Sequence, residues 1–248
     1  MDKVLIVTGA SRGIGAATAI AAGKAGYRVV VNYTARRQEA DGVVREIVAK
    51  GGTAVAVQAD VSLEADVMGL FAETERRFGR LDGLVNNAGV VGRSSRFVDM
   101  ATADLHRVFA INVFGSFLCA REAVKRMSTA RGGAGGAIVN ISSGASTLGS
   151  PGEFIHYAAS KAAINTLTIG LAKEVAREGI RVNAVEPGMV DTEMQAASGD
   201  PGRVDRIVPT VPMARSASPA EIAQPIIFLL SDAASYMTGA ILRVAGGR

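Results

Sequence analysis

Tyr157 and Lys161 stand four residues apart, a spacing that places two side chains on one face of a helix, one turn from each other. A phenol with an ordinary pKa of about 10 is a poor acid or base at neutral pH. A nearby ammonium favours the phenolate and lowers the pKa of the phenol, so the pair could exchange a proton near neutral pH. The alternative is an aromatic ring packed on a lysine stem, which occurs in many helices.

A pair of adjacent serines, Ser142 and Ser143, follows a strand-like segment at residues 137–141 and precedes Tyr157. A serine hydroxyl beside the phenol could hydrogen-bond a substrate oxygen. Because side chains alternate along an extended chain, only one of the two serines can point toward the phenol. We choose Ser143 for this role, and Ser142 is the alternative.

The amino-terminal segment predicts a turn that binds phosphate groups. Residues 4–7 form an apolar, β-branched run typical of a strand buried on both faces, and the glycine-rich residues 8–15 and an alanine-rich stretch follow directly. Gly9 permits a tight turn, while Gly13 and Gly15 let a diphosphate and the helix approach the backbone. The helix N-terminus offers unpaired N–H groups to the phosphates. The simpler alternative is a tight connection without a ligand.

Strand and helix patterns alternate along the chain. Strands are predicted at residues 4–7, 27–32, 53–58, 81–85, 137–141, 180–185 and 241–244. Helices are predicted at residues 16–25, 37–50, 63–78, 102–127, 157–177 and 219–230, with Ser218 as an N-cap and Pro219 at a first helical position. The alternation predicts an α/β fold: a Rossmann-type, doubly wound parallel sheet of about seven strands with helices on both faces. Because no linker divides the chain, we expect a single domain over residues 1–248.

The Tyr-Lys pair and the glycine turn together resemble the short-chain dehydrogenase/reductase family, and other segments agree in order and spacing along essentially the whole chain. The family's Asn-Asn-Ala-Gly motif is matched at residues 86–89, after the fourth predicted strand. Its helix asparagine is matched by Asn112, and the segment around its Pro-Gly turn by residues 181–188. The resemblance implies an enzyme that interconverts a carbonyl and a secondary alcohol by hydride transfer with a nicotinamide cofactor.

The resemblance also implies a role for each matched catalytic position. Tyr157 would exchange a proton with the substrate oxygen, and Ser143 would polarise that oxygen. Lys161 would favour the phenolate and hydrogen-bond the nicotinamide ribose. Asn112 would hold a water that links Lys161 to bulk solvent.

The cofactor-binding positions follow from the same motifs. They are Gly9, Ser11, Arg12, Gly13, Ile14, Gly15, Asn32, Asp60, Val61, Asn87, Ala88, Gly89, Tyr157, Lys161, Pro187, Gly188, Val190 and Thr192. By resemblance, Asp60 and Val61 contact the adenine, and Thr192 bonds the nicotinamide carboxamide or a phosphate. Structural roles are open for some of them: Asp60 could cap the next helix, and Asn86 and Asn87 could tie neighbouring strands together.

Cofactor choice depends on the residues that follow the second strand. A site selective for NAD places an acid there, which bonds the ribose hydroxyls and repels a 2′-phosphate. Residues 30–37 contain no acid, whereas Arg12 lies in the glycine turn and Arg36 and Arg37 follow the strand. Guanidinium groups suit bidentate binding of phosphate. We therefore predict NADP(H) in preference to NAD(H), with Arg12 and Asn32 as the main determinants.

Composition restricts the remaining classes of function. The net charge of +4 over 248 residues includes no dense run of basic residues with interleaved aromatics, so nucleic-acid binding has little support. Cys119 is the single cysteine, and no Cys/His pattern resembles a metal site, so we expect no disulfide and no metal. We find no secretory leader pattern and no apolar run of about 20 residues, which predicts a cytoplasmic protein without a membrane span.

Substrate identity is open at this stage. Residues 189–214, which include Met194 and Pro201, correspond to the family's substrate loop, and residues 153–156 could line the pocket. A small carbonyl or alcohol substrate is expected, either of a sugar or polyol dehydrogenase or of a 3-oxoacyl reductase. An acyl carrier would need a basic docking face, which Arg126, Arg131 and Arg177 could supply.

Two further roles concern the whole molecule. A non-catalytic, nucleotide-binding regulatory protein with the same fold is the competing class, since fold alone does not prove function. The small, apolar residues at 110–120 and 162–171 favour a homo-oligomer, a dimer or tetramer, although the same stripes could pack on the sheet.

Overall fold

A computed structural model describes residues 3–193, 200 and 202–248. Its strands pair in parallel in one sheet. They are β1 (Val4–Val7), β2 (Arg28–Tyr33), β3 (Thr53–Gln58), β4 (Gly83–Asn86), β5 (Gly136–Ile141), β6 (Ile180–Pro187) and β7 (Ile241–Val244). The order across the sheet is β3-β2-β1-β4-β5-β6-β7, which confirms the predicted doubly wound Rossmann-type topology.

The helices follow the strands along the chain. They are α1 (Gly13–Lys24), α2 (Arg37–Ala49), α3 (Glu64–Phe78), α4 (Thr102–Phe109), α5 (Gly115–Met127), α6 (Ala145–Leu148), α7 (Ile155–Val175), α8 (Arg203–Ile207) and α9 (Pro219–Leu230). Ser218 caps α9 as predicted, because its hydroxyl accepts a hydrogen bond from the backbone of Glu221, whose carboxylate accepts one in return from the Ser218 N–H at 2.8 Å. Among the described residues, no helix has the length and apolar character needed to cross a membrane.

Alternation along the central strands divides the core into two layers. Leu5 and Val7 face a cluster formed with α1, α2 and α9, whereas Ile6 faces a cluster formed with α3, α5 and α7. All four residues of β1 are fully buried, as the apolar run predicts for a strand covered by helices on both faces. Cys119 packs in the second cluster, where burial raises the pKa of its thiol to about 12.

The structure differs from the sequence prediction at the long helix of residues 102–127. The segment Ala110–Phe114 between α4 and α5 is a π-helix, so the helical path contains a local bulge. Such bulges leave little trace in hydrophobic periodicity and often lie at functional sites. Asn112 lies at the centre of this one. The sequence also did not predict the short helices α6 and α8, whose lengths of four and five residues are too small for a periodic signal.

Sheet topology determines where a ligand can bind. The chain winds outward in both directions from β1, which pairs with β2 on one side and β4 on the other. In sheets of this type the crevice opens at the carboxyl ends of the strands, where the order reverses.

Candidate active site

A cavity of about 460 Å³ opens at the carboxyl ends of the central strands. Ten of the residues predicted to form the site line it: Ile14, Asn87, Gly89, Ser143, Tyr157, Lys161, Pro187, Gly188, Val190 and Thr192. The wall also includes apolar side chains of Val91, Leu148, Phe154 and Ile207. The polar residues thus converge on a partly apolar space of the size that small-molecule sites have.

Helix α7 brings Tyr157 and Lys161 together. It begins at Ile155, so Tyr157 lies in its first turn and Lys161 lies one turn later. The Lys161 Nζ lies 5.7 Å from the centroid of the Tyr157 ring and donates a hydrogen bond to the main-chain oxygen of Ile141 at 2.7 Å. Burial lowers the pKa of Lys161 to about 8. The ammonium is therefore held at the end of β5, beside the phenol.

The pKa of Tyr157 shifts in the opposite direction from the one that the sequence argument expects. Burial raises it, and this effect outweighs the influence of the Ser143 side chain and the charge of Arg203, which both lower it. The ammonium of Lys161 does not offset the burial, since it points to Ile141. Without a ligand, the phenol keeps its proton at neutral pH.

The two adjacent serines point to different partners. The Ser142 Oγ donates a hydrogen bond to the main-chain oxygen of Lys161 at 3.0 Å and so ties β5 to α7. The Ser143 side chain lowers the pKa of the Tyr157 phenol, and its Oγ accepts a hydrogen bond from the Ala145 N–H at 3.2 Å. Of the pair, Ser143 is the one whose hydroxyl meets the phenol.

Asn112 is buried in the π-helical segment, behind Lys161. Its Oδ1 accepts a hydrogen bond from the Val90 N–H at 2.8 Å, and its Nδ2 donates to the Val90 oxygen at 2.9 Å and to the Ser160 Oγ at 3.0 Å. A Cβ atom at Gly89 would lie 3.3 Å from Asn112 Oδ1 and 3.5 Å from Lys161 Nζ, so these two side chains close around that glycine. The amide of Asn112 holds the loop after β4, and its role in a water relay stays a prediction.

The glycine turn packs tightly against the end of β4. Gly9 and Gly13 adopt positive φ angles of 59° and 56°. A Cβ atom at Gly15 would lie 2.5 Å from both the Asn87 Nδ2 and the Gly9 oxygen, and one at Gly9 would lie 2.9 Å from the Ala88 Cα. These close approaches explain why glycine is required at both positions.

The N-terminus of α1 fits the diphosphate of a dinucleotide. Arg12 occupies the N-cap position, no side chain of the described residues caps this helix end, and its first turn contains no acid. Thr192 approaches from the opposite side, since a Cβ atom at Gly13 would lie 3.4 Å from the Thr192 Cγ2. Uncapped N–H groups at a helix N-terminus form a suitable cradle for an anion.

Asn32, the second predicted NADP determinant, points into the protein. Its Oδ1 accepts a hydrogen bond from the Gly9 N–H at 3.1 Å, and its Nδ2 donates to the Ala59 oxygen at 3.0 Å. The residue is buried, so its amide holds the glycine turn against β3 rather than facing a phosphate. The sequence could not reveal this, because both partners are distant along the chain.

Two arginines meet at a carboxylate that was not among the predicted site residues. Arg12 forms an ion pair with the carboxylate of Glu193, and the Arg36 guanidinium lies 3.8 Å from the same oxygen. Arg36 also pairs with Glu39 at 3.0 Å, while Arg37 turns away to Asp41 at 3.6 Å. Arg12 and Arg36 therefore converge beside the glycine turn, and Arg37 does not join them.

The side chains predicted to contact the adenosine form bonds and packing contacts with nearby groups of the protein. Asp60 Oδ1 accepts hydrogen bonds from the Ser62 N–H at 2.9 Å and the Ser62 Oγ at 2.7 Å, while the N-cap of α3 is Leu63, so Asp60 does not cap that helix. Val61 is buried against Gly115. Asn87 donates to the main-chain oxygens of Thr8 and Gly9 at 2.8 and 3.0 Å, as expected of a side chain that ties strands together.

Polar residues at the cavity edge extend the predicted set. The Arg203 guanidinium lines the cavity, stacks 5.2 Å from the Phe154 ring and pairs with Glu153 at 3.0 Å. Glu153 was expected near the pocket, but Arg203 was not identified, because only the fold brings it there. Met194 and Pro201 of the predicted substrate loop lie outside the described residues.

Comparisons with known proteins agree with this arrangement. Residues 9–248 match a family model described as Enoyl-(Acyl carrier protein) reductase. The chain is 50% identical over 245 residues to the uncharacterized oxidoreductase YgfF of Escherichia coli, with 99% of each protein covered. It is 42% identical over 247 residues to a 3-oxoacyl-[acyl-carrier-protein] reductase of Synechocystis, with 99% of this chain and 96% of the relative covered.

A solved structure is similar over almost the same length. A mutant short-chain dehydrogenase/reductase from Serratia marcescens superposes with a TM-score of 0.91 at 35% identity, covering 99% of this chain and 97% of that one. The protein belongs to the short-chain dehydrogenase/reductase family, as its motifs predict, and is an oxidoreductase of that family.

Proposed function

We propose that the protein is an NADP(H)-dependent oxidoreductase that interconverts a carbonyl and a secondary alcohol. The observation that carries this proposal is the convergence of Ser143, Tyr157 and Lys161 on one cavity that adjoins the glycine turn. A bound nicotinamide supplies the hydride chemistry, and the protein supplies binding, orientation and proton transfer. The regulatory alternative gains nothing from this arrangement, because a protein that only binds a nucleotide does not need these three side chains together.

The roles of the chain's own residues follow from their contacts. The Tyr157 hydroxyl gives a proton to the carbonyl oxygen during reduction and takes one from the alcohol during oxidation. Its raised pKa keeps the phenol protonated, which favours reduction. The Ser143 Oγ donates a hydrogen bond to the same substrate oxygen and stabilises the negative charge that develops there. Lys161 holds the ribose hydroxyls beside the phenol.

NADP(H) is the proposed cofactor because cations surround the expected position of the 2′-phosphate. Arg12 and Arg36 converge beside the glycine turn on the exposed carboxylate of Glu193, which a phosphate would replace, and residues 34–37 directly after β2 contain no acid. Two guanidinium groups bind a phosphate more strongly than a ribose hydroxyl, since charge-assisted hydrogen bonds are about twice as strong as neutral ones.

A 3-oxoacyl thioester is the first proposed substrate class. Relatives named as 3-oxoacyl-[acyl-carrier-protein] reductases, 42% and 39% identical to this chain, support it, as does the apolar part of the cavity wall. A sugar or polyol is the second class, supported by the Glu153–Arg203 ion pair at the cavity edge. A screen that includes both classes discriminates between them.

The expected docking face for an acyl carrier has limited support within one chain. Arg126 is mostly buried and its Nη1 donates to Glu122 at 2.7 Å, so it is not an open docking group. Arg131 and Arg177 are exposed, but they lie on turns that precede β5 and β6. These turns are at the amino ends of the strands, whereas the cavity is at the carboxyl ends. We therefore propose a free thioester or ketone as the first substrate to test, before a carrier-bound one.

The test follows the absorbance of NADPH and NADH with ketones, sugars and 3-oxoacyl thioesters. Tyr157→Phe removes the proposed proton donor, and Tyr236→Phe, which changes a fully exposed tyrosine, is the matched control. The proposal expects turnover that is lost in Tyr157→Phe and retained in Tyr236→Phe. Tight cofactor binding without Tyr157-dependent turnover on any substrate would favour the regulatory alternative.

The proposed homo-oligomer also rests on an exposed surface. Phe114 and Phe117 are 61% and 47% exposed near the start of α5, and Ile169 on α7 is 39% exposed. We propose that a second copy of this chain covers this apolar face. Light scattering on the purified protein should give at least a dimer, and Phe117→Glu should shift the mass toward the monomer.

A further inference from the structure

Glu186 is a buried carboxylate at the end of β6, next to the cavity-lining Pro187. It is 3% exposed. Its Oε1 accepts hydrogen bonds from the Ser146 Oγ at 2.6 Å and the Asn165 Nδ2 at 2.7 Å. Its Oε2 accepts bonds from the Arg243 Nε at 3.1 Å and Nη2 at 3.0 Å. Burial alone would raise the pKa of Glu186, but these bonds outweigh it and hold the pKa below its usual value, so the group is a charged, fourfold acceptor.

The partners of this carboxylate lie on the segments that carry the candidate active site. Ser146 belongs to α6, three residues after Ser143. Asn165 belongs to α7, one turn after Lys161. Glu186 itself immediately precedes the Pro-Gly turn. A single carboxylate therefore joins the serine segment, the Tyr-Lys helix and the turn that closes the cavity.

Helix α6 needs such an anchor. It contains four residues, and a helix of that length is not stable on its own. It begins after Gly144 and ends before Gly149, which has a positive φ of 75°, and its Leu148 side chain is about half exposed in the cavity wall. Its residues are half-buried or exposed. Polar contacts hold it from several sides: Ser146 bonds Glu186 and Asn165, and Thr147 bonds Arg243.

We propose that Glu186 is a positioning residue that fixes α6, and through it Ser143, relative to Tyr157 and the Pro-Gly turn. The inference rests on the proposed function, since it names a determinant of the same site. Glu186 acts by geometry: the carboxylate touches neither Tyr157 nor Lys161, and the lowered pKa of Lys161 has burial as its cause. Catalysis requires reacting groups to be placed closely, and a misplacement of about 1 Å can reduce the rate about 100-fold.

The main alternative is a buried ion pair that stabilises the fold alone. Loss of a partner from such a pair destabilises a protein wherever the pair lies. A loss of stability therefore cannot distinguish the two roles. The distinction needs a readout at the site, together with a control carboxylate elsewhere.

Asp82 provides the matched control. It is a buried carboxylate at the amino end of β4, at the end of the sheet opposite the cavity. Its Oδ2 accepts hydrogen bonds from the Val4 N–H at 2.8 Å and the Arg80 Nε at 2.9 Å. Asp82→Asn and Glu186→Gln make the same chemical change, a carboxylate replaced by an amide that faces an arginine.

The experiment measures kcat and KM for the carbonyl substrate, the Kd for NADPH and the Tm of both variants. Glu186→Gln should lower kcat/KM about 10- to 100-fold, while the NADPH Kd changes much less. The pH at the midpoint of the rate profile should rise in Glu186→Gln, because a displaced Ser143 lowers the pKa of Tyr157 less than it does in the wild type, and should stay at the wild-type value in Asp82→Asn. Asp82→Asn should lower the Tm and leave kcat/KM close to wild type. Wild-type kcat/KM in folded Glu186→Gln, or equal losses in both variants, would overturn the inference.

Hydrogen exchange separates this inference from the proposed function. If the wild type turns over no carbonyl, the proposed function fails, and exchange in the peptide of residues 142–149 then decides on Glu186. Exchange there should be about tenfold faster in Glu186→Gln and unchanged in Asp82→Asn, because loss of the anchor increases local opening. Unchanged exchange in Glu186→Gln would overturn the inference. Should Glu186→Gln fail to fold, Ser146→Ala removes one of the four bonds, and the same peptide must again exchange faster.

Discussion

The hydroxyl of Ser142 donates a hydrogen bond to the main-chain oxygen of Lys161 at 3.0 Å. Its neighbour Ser143 acts on the phenol of Tyr157 instead and lowers its pKa. One step along an extended chain reverses the direction of a side chain, which is why two adjacent serines serve different segments. Ser142 anchors helix α7, and Ser143 acts on the phenol that we propose as the proton donor.

Substitution of the two serines should therefore give different results. Ser143→Ala should lower kcat about 100-fold or more, because it removes a donor to the developing oxyanion. Ser142→Ala should lower the free energy of unfolding by about 1 kcal/mol through the lost hydrogen bond, with a much smaller effect on kcat. Steady-state kinetics and urea unfolding of both variants provide the measurement. The reverse order of kcat values would assign the substrate contact to Ser142.

Lys161 should reduce stability while it supports activity. Its pKa is lowered from 10.5 to about 8, because the folded protein disfavours the buried ammonium. Between these two pH values the unfolded chain binds more protons, so wild-type stability should rise with pH across that range. Lys161→Met lacks this penalty. At pH 7 it should be inactive and more stable than the wild type, by at most about 3 kcal/mol, less the contribution of the lost bond to Ile141.

Thermal unfolding at pH 7 and pH 10 tests this prediction. The difference in Tm between Lys161→Met and the wild type should be larger at pH 7 than at pH 10. Lys173→Met, on an exposed position of the same helix, should show no such pH dependence. A Lys161→Met protein that is less stable than the wild type at both pH values would contradict the assignment of burial as the cause.

Sequence patterns predicted the elements of the fold because those patterns are local. The run of residues 4–7 predicts a fully buried strand, and Ser218 with Pro219 predicts the start of α9, and the structure has both. The Tyr-Lys spacing likewise places both side chains on one helix face. In each case the signal lies within a few residues of the feature that it predicts.

Features that depend on distant partners were not predictable in this way. Asn32 points inward because Gly9 and Ala59 offer a donor and an acceptor at its position. The raised pKa of Tyr157 arises from burial among several elements, which outweighs any local effect of Lys161. Glu186 lies in the matched segment 181–188, but that match assigns it no role, and the role proposed for it follows only from the segments that meet at its carboxylate.

Cofactor selectivity should depend on Arg12. Arg12→Ala should raise the Kd for NADPH about 10- to 100-fold, as expected when a hydrogen-bonded charge pair with a phosphate is lost, and should leave the Kd for NADH nearly unchanged. Arg37→Ala is the control, since Arg37 points to Asp41 instead. Titration of each protein with both nucleotides at two salt concentrations gives the comparison. Equal losses for NADPH and NADH would show that Arg12 does not bind the 2′-phosphate.

Replacement by alanine should change the stability of the protein in opposite directions at Gly15 in α1 and at Gly69 in α3. A Cβ atom at Gly15 in α1 would lie 2.5 Å from the Gly9 oxygen and the Asn87 Nδ2, so Gly15→Ala must displace the glycine turn from the end of β4. Gly69 in α3 has no atom within 4 Å of its Cβ position among the described residues. Gly69→Ala should therefore stabilise the protein by about 0.4–1 kcal/mol, because alanine restricts the unfolded chain more than glycine does.

Thermal unfolding and NADPH titration of these two variants separate the effect of helix propensity from the effect of the close contacts around Gly15. Gly15→Ala should lower the Tm and weaken NADPH binding at least tenfold, even though alanine is the better helix former by about 1 kcal/mol. Gly69→Ala should raise the Tm and leave the Kd for NADPH unchanged. If Gly15→Ala instead bound NADPH normally, the turn would have room for a methyl group, and the close contact with β4 would not be what requires glycine there.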